Sequence, residues 1–161
     1  APASVRSVGE AVMAADRLLE TAKAQADSQV SERNAREKAE LMRQLGMDEG
    51  ESVTKASRTM IRQLEEDQKR RSKRALTDAI DRALIDLLAI YRDVLMIQVG
   101  GDGELINTDL ADLVGQIASD STPRQTLARV DHIETARKRL VSNGNPLLVL
   151  EDMAISLRPQ A

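Results

Sequence analysis

The densest set of chemically able side chains in this sequence is the basic run Lys69-Arg70-Arg71-Ser72-Lys73-Arg74. A run of this kind reads as a phosphate-contacting patch, with Arg71, Lys73 and Arg74 as the candidate DNA contacts. Glu65, Glu66 and Asp67 stand one helical turn ahead of Lys69, Arg70 and Arg71. That acid-then-base order pairs charges along a single helix and offsets half of the positive charge, which favours a solvated face. Asp78, Asp81, Asp86 and Asp93 are the next candidates, as carboxylate ligands to a metal. Their spacing scatters them around a helix, and the Glu-x-x-His pair of a di-metal bundle is missing, so they too read as a solvated face. His132 is expected at the surface. Gly100-Gly101-Asp102-Gly103 has the glycine content of a phosphate loop but neither the GxxxxGK[ST] pattern nor a preceding strand, and reads as a helix–helix connection. Tyr91 is expected in a core with its hydroxyl at the edge. Nothing here supplies a nucleophile, a base and an oxyanion site together. No catalytic, cofactor or metal site is expected, and the chain reads as a non-enzyme.

Composition narrows the choice in the same direction. The 161 residues hold 23 Lys+Arg and 26 Asp+Glu, a net charge of −3, so no global positive field gathers nucleic acid or anionic lipid. There is no Cys, Trp or Phe and a single Tyr. Disulfides, zinc–thiolate sites and an aromatic base-stacking platform are therefore excluded within the chain. Apolar residues make up 42% and charged residues 30%, which suits an all-helical protein. The most apolar stretch, Ala79 to Val99, is broken by Asp81, Arg82, Asp86, Arg92 and Asp93 and does not span a bilayer. The opening Ala-Pro-Ala-Ser lacks the basic start and apolar core of a signal peptide, and a start at Ala1 fits an excised piece of a longer chain.

The elements that must position these groups are helices. Val5, Val8, Val12, Ala15, Leu19, Ala22 and Ala26 recur in steps of three and four, and predict one helix running to Leu45. The seam thins from Asp27 to Asn34, where Val30 is its only member, and Gly46 is a helix stop. Ser52 or Thr54 is the expected cap of a second helix to Val99. Its middle, Glu65 to Arg74, has no apolar residue, whereas Leu76 to Gln98 carries a wide apolar stripe. At 1.5 Å rise per residue each long helix measures about 60–70 Å, more than the remaining chain can enclose. The expected fold is all-α: a small helical bundle of residues 1–21 and 76–161, with residues 22–75 as a protruding antiparallel coiled-coil arm. Residues 23–74 hold 13 Lys/Arg against 10 Asp/Glu, and the rest of the chain 10 against 16. After the glycine loop, three short helices are expected. Asn107 or Thr108 caps the first, with Leu110, Leu113, Val114 and Ile117 inward. Thr122-Pro123 starts the second, with Leu127, Val130, Ile133, Ala136, Leu140 and Val141 inward. Pro146 opens the third, which ends before Arg158-Pro159.

Four motifs of the second half carry a family resemblance. They are Tyr91-Arg92-Asp93-Val94-Leu95, Ile106-Asn107-Thr108-Asp109 after the glycine loop, Ala136-Arg137, and Asn143-Gly144-Asn145-Pro146-Leu147-Leu148-Val149-Leu150-Glu151. Over about residues 75–158 the chain resembles the C-terminal collar domain of bacterial clamp-loader subunits. Within that group it is most similar to the delta-prime subunits of DNA polymerase III from actinobacteria, and the gamma/tau subunits share its Asn-Pro-Leu ending. The resemblance implies the last domain of a three-domain, cytoplasmic protein. The other two would be a nucleotide-binding-type α/β domain without ATPase function and a lid carrying a four-cysteine zinc module. It implies packing beside the gamma/tau and delta subunits in a ring that holds the ATPase domains while the sliding clamp is loaded, with DNA met only through the assembly and no membrane. Tyr91, Arg92, Leu95, Asn145, Pro146 and Leu150 are the subunit-packing residues it implies. The long arm departs from the common bacterial pattern.

The expected function is thus a non-catalytic oligomerisation domain, the isolated domain being monomeric or weakly self-associating. Two rival readings come from the residues alone. One is a free-standing coiled-coil adaptor that self-associates through the arm. The other is a DNA-binding module using residues 69–74, which the acidic balance of the rest of the chain opposes.

Overall fold

A computed structural model describes residues 2–46 and 54–159, with side chains from Val8 onward. Among the described residues five α-helices carry the fold: α1 (Pro2–Gln44), α2 (Lys55–Gln98), α3 (Ala111–Asp120), α4 (Pro123–Val141) and α5 (Pro146–Leu157). A 3-10 turn, Thr108–Leu110, precedes α3, and no strand occurs among the described residues. The all-α class expected from the periodicity is borne out.

Local signals set the helix ends. Thr54 Oγ accepts the Ser57 backbone N–H at 3.1 Å, while the alternative cap, Ser52, and the loop from Met47 to Gly50 lie outside the described residues. A reciprocal capping box opens α4. Thr122 Oγ accepts the Gln125 N–H at 3.2 Å, and Gln125 Oε1 accepts the Thr122 N–H at 2.9 Å. Asn145 Oδ1 accepts the Leu148 N–H at 3.2 Å, with Pro146 in the first turn of α5, where its missing N–H costs nothing. At the end of α2 the chain turns through Gly100 at φ +69, so that the Gly100 and Gly101 N–H groups reach the carbonyls of Ile97 and Met96. Gly144 follows Asn143, itself at φ +64, after α4. A Cβ at Gly144 would sit 2.7 Å from the Arg139 carbonyl, so only glycine fits.

Contacts divide the chain into two compact units. The first comprises Ala1–Glu20 and Ile80–Ala161. Its core gathers Ile80, Leu84 and Val94 of α2, Val114 of α3, Ile133 of α4 and Leu150 of α5, all fully buried. Each such side chain contributes about 1.5–3 kcal/mol through burial. From α1, Ala11, Ala15 and Leu19 are buried, while Val12 is only half-buried, so Ala11 takes the place in the seam expected for Val12. The second unit is Thr21–Ala79, with Ala22, Ala26, Val30 and Ala79 buried. Its two helical segments run antiparallel, since Asn34 meets Arg71 while Lys38 meets Glu65.

Polar ties from α2 organise the first unit. Asp93, expected on a solvated face, is completely buried. Its carboxylate accepts the Ile106 N–H at 2.9 Å, the Asn107 N–H at 2.8 Å and the Asn107 side-chain amide at 2.9 Å. Asn107 is therefore no helix cap, and neither is Thr108: the 3-10 turn and α3 both begin without a side-chain cap. Near the end of α2, Gln98 Nε2 donates to the Ala118 carbonyl (3.3 Å) and to the carbonyl (3.0 Å) and hydroxyl (3.1 Å) of Ser121. Gln98 Oε1 accepts the hydroxyl of the buried Thr126 at 2.7 Å. Asp81 takes a forked pair from Arg137 of α4, at 2.8 and 3.3 Å. The loop after α2, the end of α3 and both ends of α4 are thus fastened to one helix.

Burial pushes the Asp93 carboxyl up, but three N–H groups and the neighbouring Arg92 outweigh it and hold it below the usual carboxylate range. A depressed folded-state pKa contributes stability above the unfolded value of about 3.9, and the contribution fades as pH falls through the lower folded value. Asp93→Ala should therefore lower stability by about 2–3 kcal/mol in urea unfolding at neutral pH. Asp93→Asn should also be destabilising at neutral pH, and its deficit relative to the natural chain should shrink on acidification below about pH 4. A deficit that stayed constant through that range would show that the buried carboxylate is not ionised.

Candidate functional site

The six expected packing residues do not share one surface. Tyr91 is 8% exposed and Leu150 is fully buried, so both act from inside the first unit. Burial raises the Tyr91 phenol above its ordinary value, with the Arg129 charge opposing. Leu95 is half-buried on α2, and Arg92 is exposed with its guanidinium 3.5 Å from Asp93. Asn145 is exposed, and Pro146 is half-buried beside it at the start of α5. The group divides into core (Tyr91, Leu150), a helix start (Asn145, Pro146) and the partly exposed pair Arg92 and Leu95.

Surface available to a partner comes from residues the periodicity placed inward. Leu113, Leu127 and Val141 are exposed, Val141 to 77%. On α4 the inward face runs Thr126, Arg129, Ile133, Ala136, Leu140, in steps of three and four. Leu127 and Val141 each lie one residue off that line. Residue type alone makes them core candidates, whereas Thr126 takes the inward position because Gln98 supplies its hydrogen-bond partner. Ile97, Val99, Ile106 and Leu148 are exposed as well. A separate apolar cleft of about 330 Å³ lies among Ala14, Leu18, Leu87, Ala154 and Leu157. Cleft and exposed side chains alike suit contact with another apolar surface, with Glu10 and Arg158 as the charged members of the cleft lining.

The basic run behaves differently from its expected pairing. Arg71 is half-buried and spans to α1, where its guanidinium pairs with Glu37 and donates to Asn34 Oδ1 at 2.9 Å. Gln68 Nε2 donates to the Asn34 carbonyl at 2.8 Å, and Lys38 meets Glu65 at 3.2 Å. Arg70 pairs with Asp67. Glu65 and Arg71 therefore pair across to the other helical segment where pairing within α2 was expected, Arg70 alone of these pairing locally, and Arg71 belongs to an interhelical polar layer. The Arg71 guanidinium holds the Glu37 carboxyl below its usual range against the burial that pushes it up. Lys73 and Arg74 remain exposed. The thin seams of the sequence mark this layer: the polar tract of α1 ends at Asn34, and the tract without apolar residues in α2 contains Gln68 and Arg71. Which polar group meets which is not written in either tract. His132 is exposed, as expected, and Asp81 is engaged by Arg137. Among the described residues no group of three or more His, Cys, Asp or Glu side chains converges as a metal site, and no helix is long and apolar enough to cross a membrane.

Comparison with known proteins decides the family. The model for the C-terminal region of the DNA polymerase III delta subunit matches residues 55–158, from the start of α2 to just past α5. The chain belongs to this family. The delta-type C-terminal match reaches further upstream than the resemblance over 75–158 and takes in the second half of the Thr21–Ala79 unit. DNA polymerase III subunit delta' of Bacillus subtilis (strain 168) is 39% identical over 72 residues. Those residues are 45% of this chain and 22% of that protein, so the chain spans under a quarter of the length of this curated relative. No solved structure matches. Within this delta-type domain the resemblance of the second half to a clamp-loader C-terminal domain is borne out.

Two pairs of substitutions check these placements. Leu150→Ala should cost about 2–5 kcal/mol in urea unfolding, while the exposed Leu148→Ala should stay within about 0.5 kcal/mol. Arg71→Ala should lower the thermal midpoint of the chain, and the double change Lys73→Ala with Arg74→Ala should leave it in place. Equal effects of the two arginine-run variants would remove the interhelical role assigned to Arg71.

Proposed function

We propose that this chain is a non-catalytic subunit-packing domain of the DNA polymerase III clamp loader, working in the cytoplasm beside the gamma/tau and delta subunits. The observation that carries the proposal is the family match over 55–158, which covers every element of the first unit from α2 onward. The structure adds support of a different kind. Large aliphatic side chains remain exposed on α2, α3, α4 and α5, as on a bundle that finds its remaining cover in neighbours. The buried Asp93 and the half-buried Gln98 and Asp81 are spent on holding the unit's own loops and helices. Its work in this reading is mechanical: to present rigid faces through which other subunits are kept in position. The helical pair of Thr21–Ala79 serves as a second docking element, with DNA met only through the assembly.

Mixing the purified chain with gamma/tau and delta subunits on a sizing column tests the proposal. Co-elution in one complex is expected. A chain that elutes apart from those subunits, and forms oligomers of itself, would point to the rival coiled-coil adaptor. A DNA-binding role would require a steep loss of DNA affinity with salt. The commitment of Arg71 to Glu37 leaves that reading only Lys73 and Arg74 of its three named residues.

A further inference from the structure

One stretch of the first unit combines uncompensated charge with exposed apolar side chains. From Asp93 to Pro123 there is no Lys or Arg, and six carboxylates. One, Asp93, is internal and satisfied by N–H groups. The other five, Asp102, Glu104, Asp109, Asp112 and Asp120, are all exposed, and among the described residues none forms an ion pair. Interleaved with them stand Ile97, Val99, Ile106 and Leu113, which are 42–63% exposed.

The stretch is also held in shape. After Gly100 the chain folds back along the last turns of α2: Gly101 and Gly103 lie against the Met96 side chain, and Ile106 and Asn107 against Asp93. Gln98 grips the far end of α3 at Ala118 and Ser121. The exposed side chains are thus displayed on backbone fixed at both ends by buried polar ties, which lowers the ordering cost of binding. Apolar groups exposed on a rigid frame mark an interaction surface. Uncompensated negative charge around them fixes the sign of what binds there, since a basic partner face relieves the repulsion among the carboxylates and an anionic one adds to it. Nucleic acid and anionic lipid are excluded on the same ground.

We infer that residues 97–113 form a docking face for a neighbouring protein subunit whose contact surface sets Lys or Arg among apolar side chains. The inference rests on the subunit-packing reading above and names the surface and the partner chemistry for it. The apolar residues supply the contact, and the carboxylates select the partner and speed encounter.

The test uses the whole 161-residue chain with purified gamma/tau and delta subunits. Two variants change the face without touching a helix start or a buried tie: Asp102→Lys with Glu104→Lys, and Ile106→Ala. Asp131→Lys, exposed on α4 and outside residues 97–113, is the control. Circular dichroism should be unchanged in all three. Affinity for the subunit that binds the natural chain should fall tenfold or more in the charge reversal, several-fold in Ile106→Ala, and not at all in the control. Raising salt from about 50 to 300 mM should weaken the natural chain more than the charge reversal. If the natural chain binds and the face variants bind equally well, this face is not the docking site and the family-based function stands. If the natural chain binds neither subunit, the function itself fails and the face loses its proposed occupant. Self-association lost in the face variants would assign the face to a second copy and overturn the proposal.

Discussion

A carboxylate in a protein interior is stable only when its surroundings replace the water it has lost. At Asp93 they do so with two backbone N–H groups and one side-chain amide, all from Ile106 and Asn107. The arrangement works in both directions. The loop cannot leave without stranding a buried charge, and the charge cannot be buried without the loop. Through this one group the end of α2 dictates where the chain goes after Gly100, and so where α3 begins. Gln98 repeats the device one turn later with a neutral amide, joining the end of α3 to the start of α4. Apolar burial drives the packing of the helices, and these polar groups choose which packing is adopted.

Much of this is legible in the residues. Helix boundaries come from Gly46, Gly100, Thr122-Pro123, Asn143-Gly144 and Pro146, because each acts through its own backbone geometry or a hydrogen bond to a near neighbour. The wide stripe on α2 is legible because 3.6-residue periodicity is a property of one helix. The features that escape the sequence need a partner distant along the chain. Asp93 looks solvated since the N–H groups that hold it lie 13 and 14 residues away across a loop. Thr126 and Arg129 are polar yet inward, and Leu127 and Val141 apolar yet outward, since residue type alone does not show which face a neighbouring helix covers. Along α2 and α1 the same limit applies to charge. Local pairing of Asp67 with Arg71 is the economical expectation, and Glu37 of the other helical segment displaces it.

The two units use polar groups for different ends. In Thr21–Ala79 the Asn34, Glu37, Gln68 and Arg71 layer lies between two helical segments whose apolar seams are thin. It opposes sliding, because any other register would leave a half-buried Arg71 without its acceptors. In the other unit the ties free the outer apolar side chains from structural duty. Ile106 illustrates the division: its N–H is bound to Asp93 while its side chain is left to the surface. Aliphatic groups left outward on a frame tied by its own buried polar groups are what the proposed subunit-packing role requires. That agrees with membership in the DNA polymerase III delta C-terminal family.

Amide hydrogen exchange at Ile106 and Asn107 in the free chain tests the central claim most directly. If the buried carboxylate fixes the loop, these two N–H groups should exchange as slowly as amides in the middle of α2, although they lie outside any helix. Exchange at the rate of an open loop would mean that Asp93 does not organise the segment between α2 and α3, and the account of a pre-set docking face would fall with it.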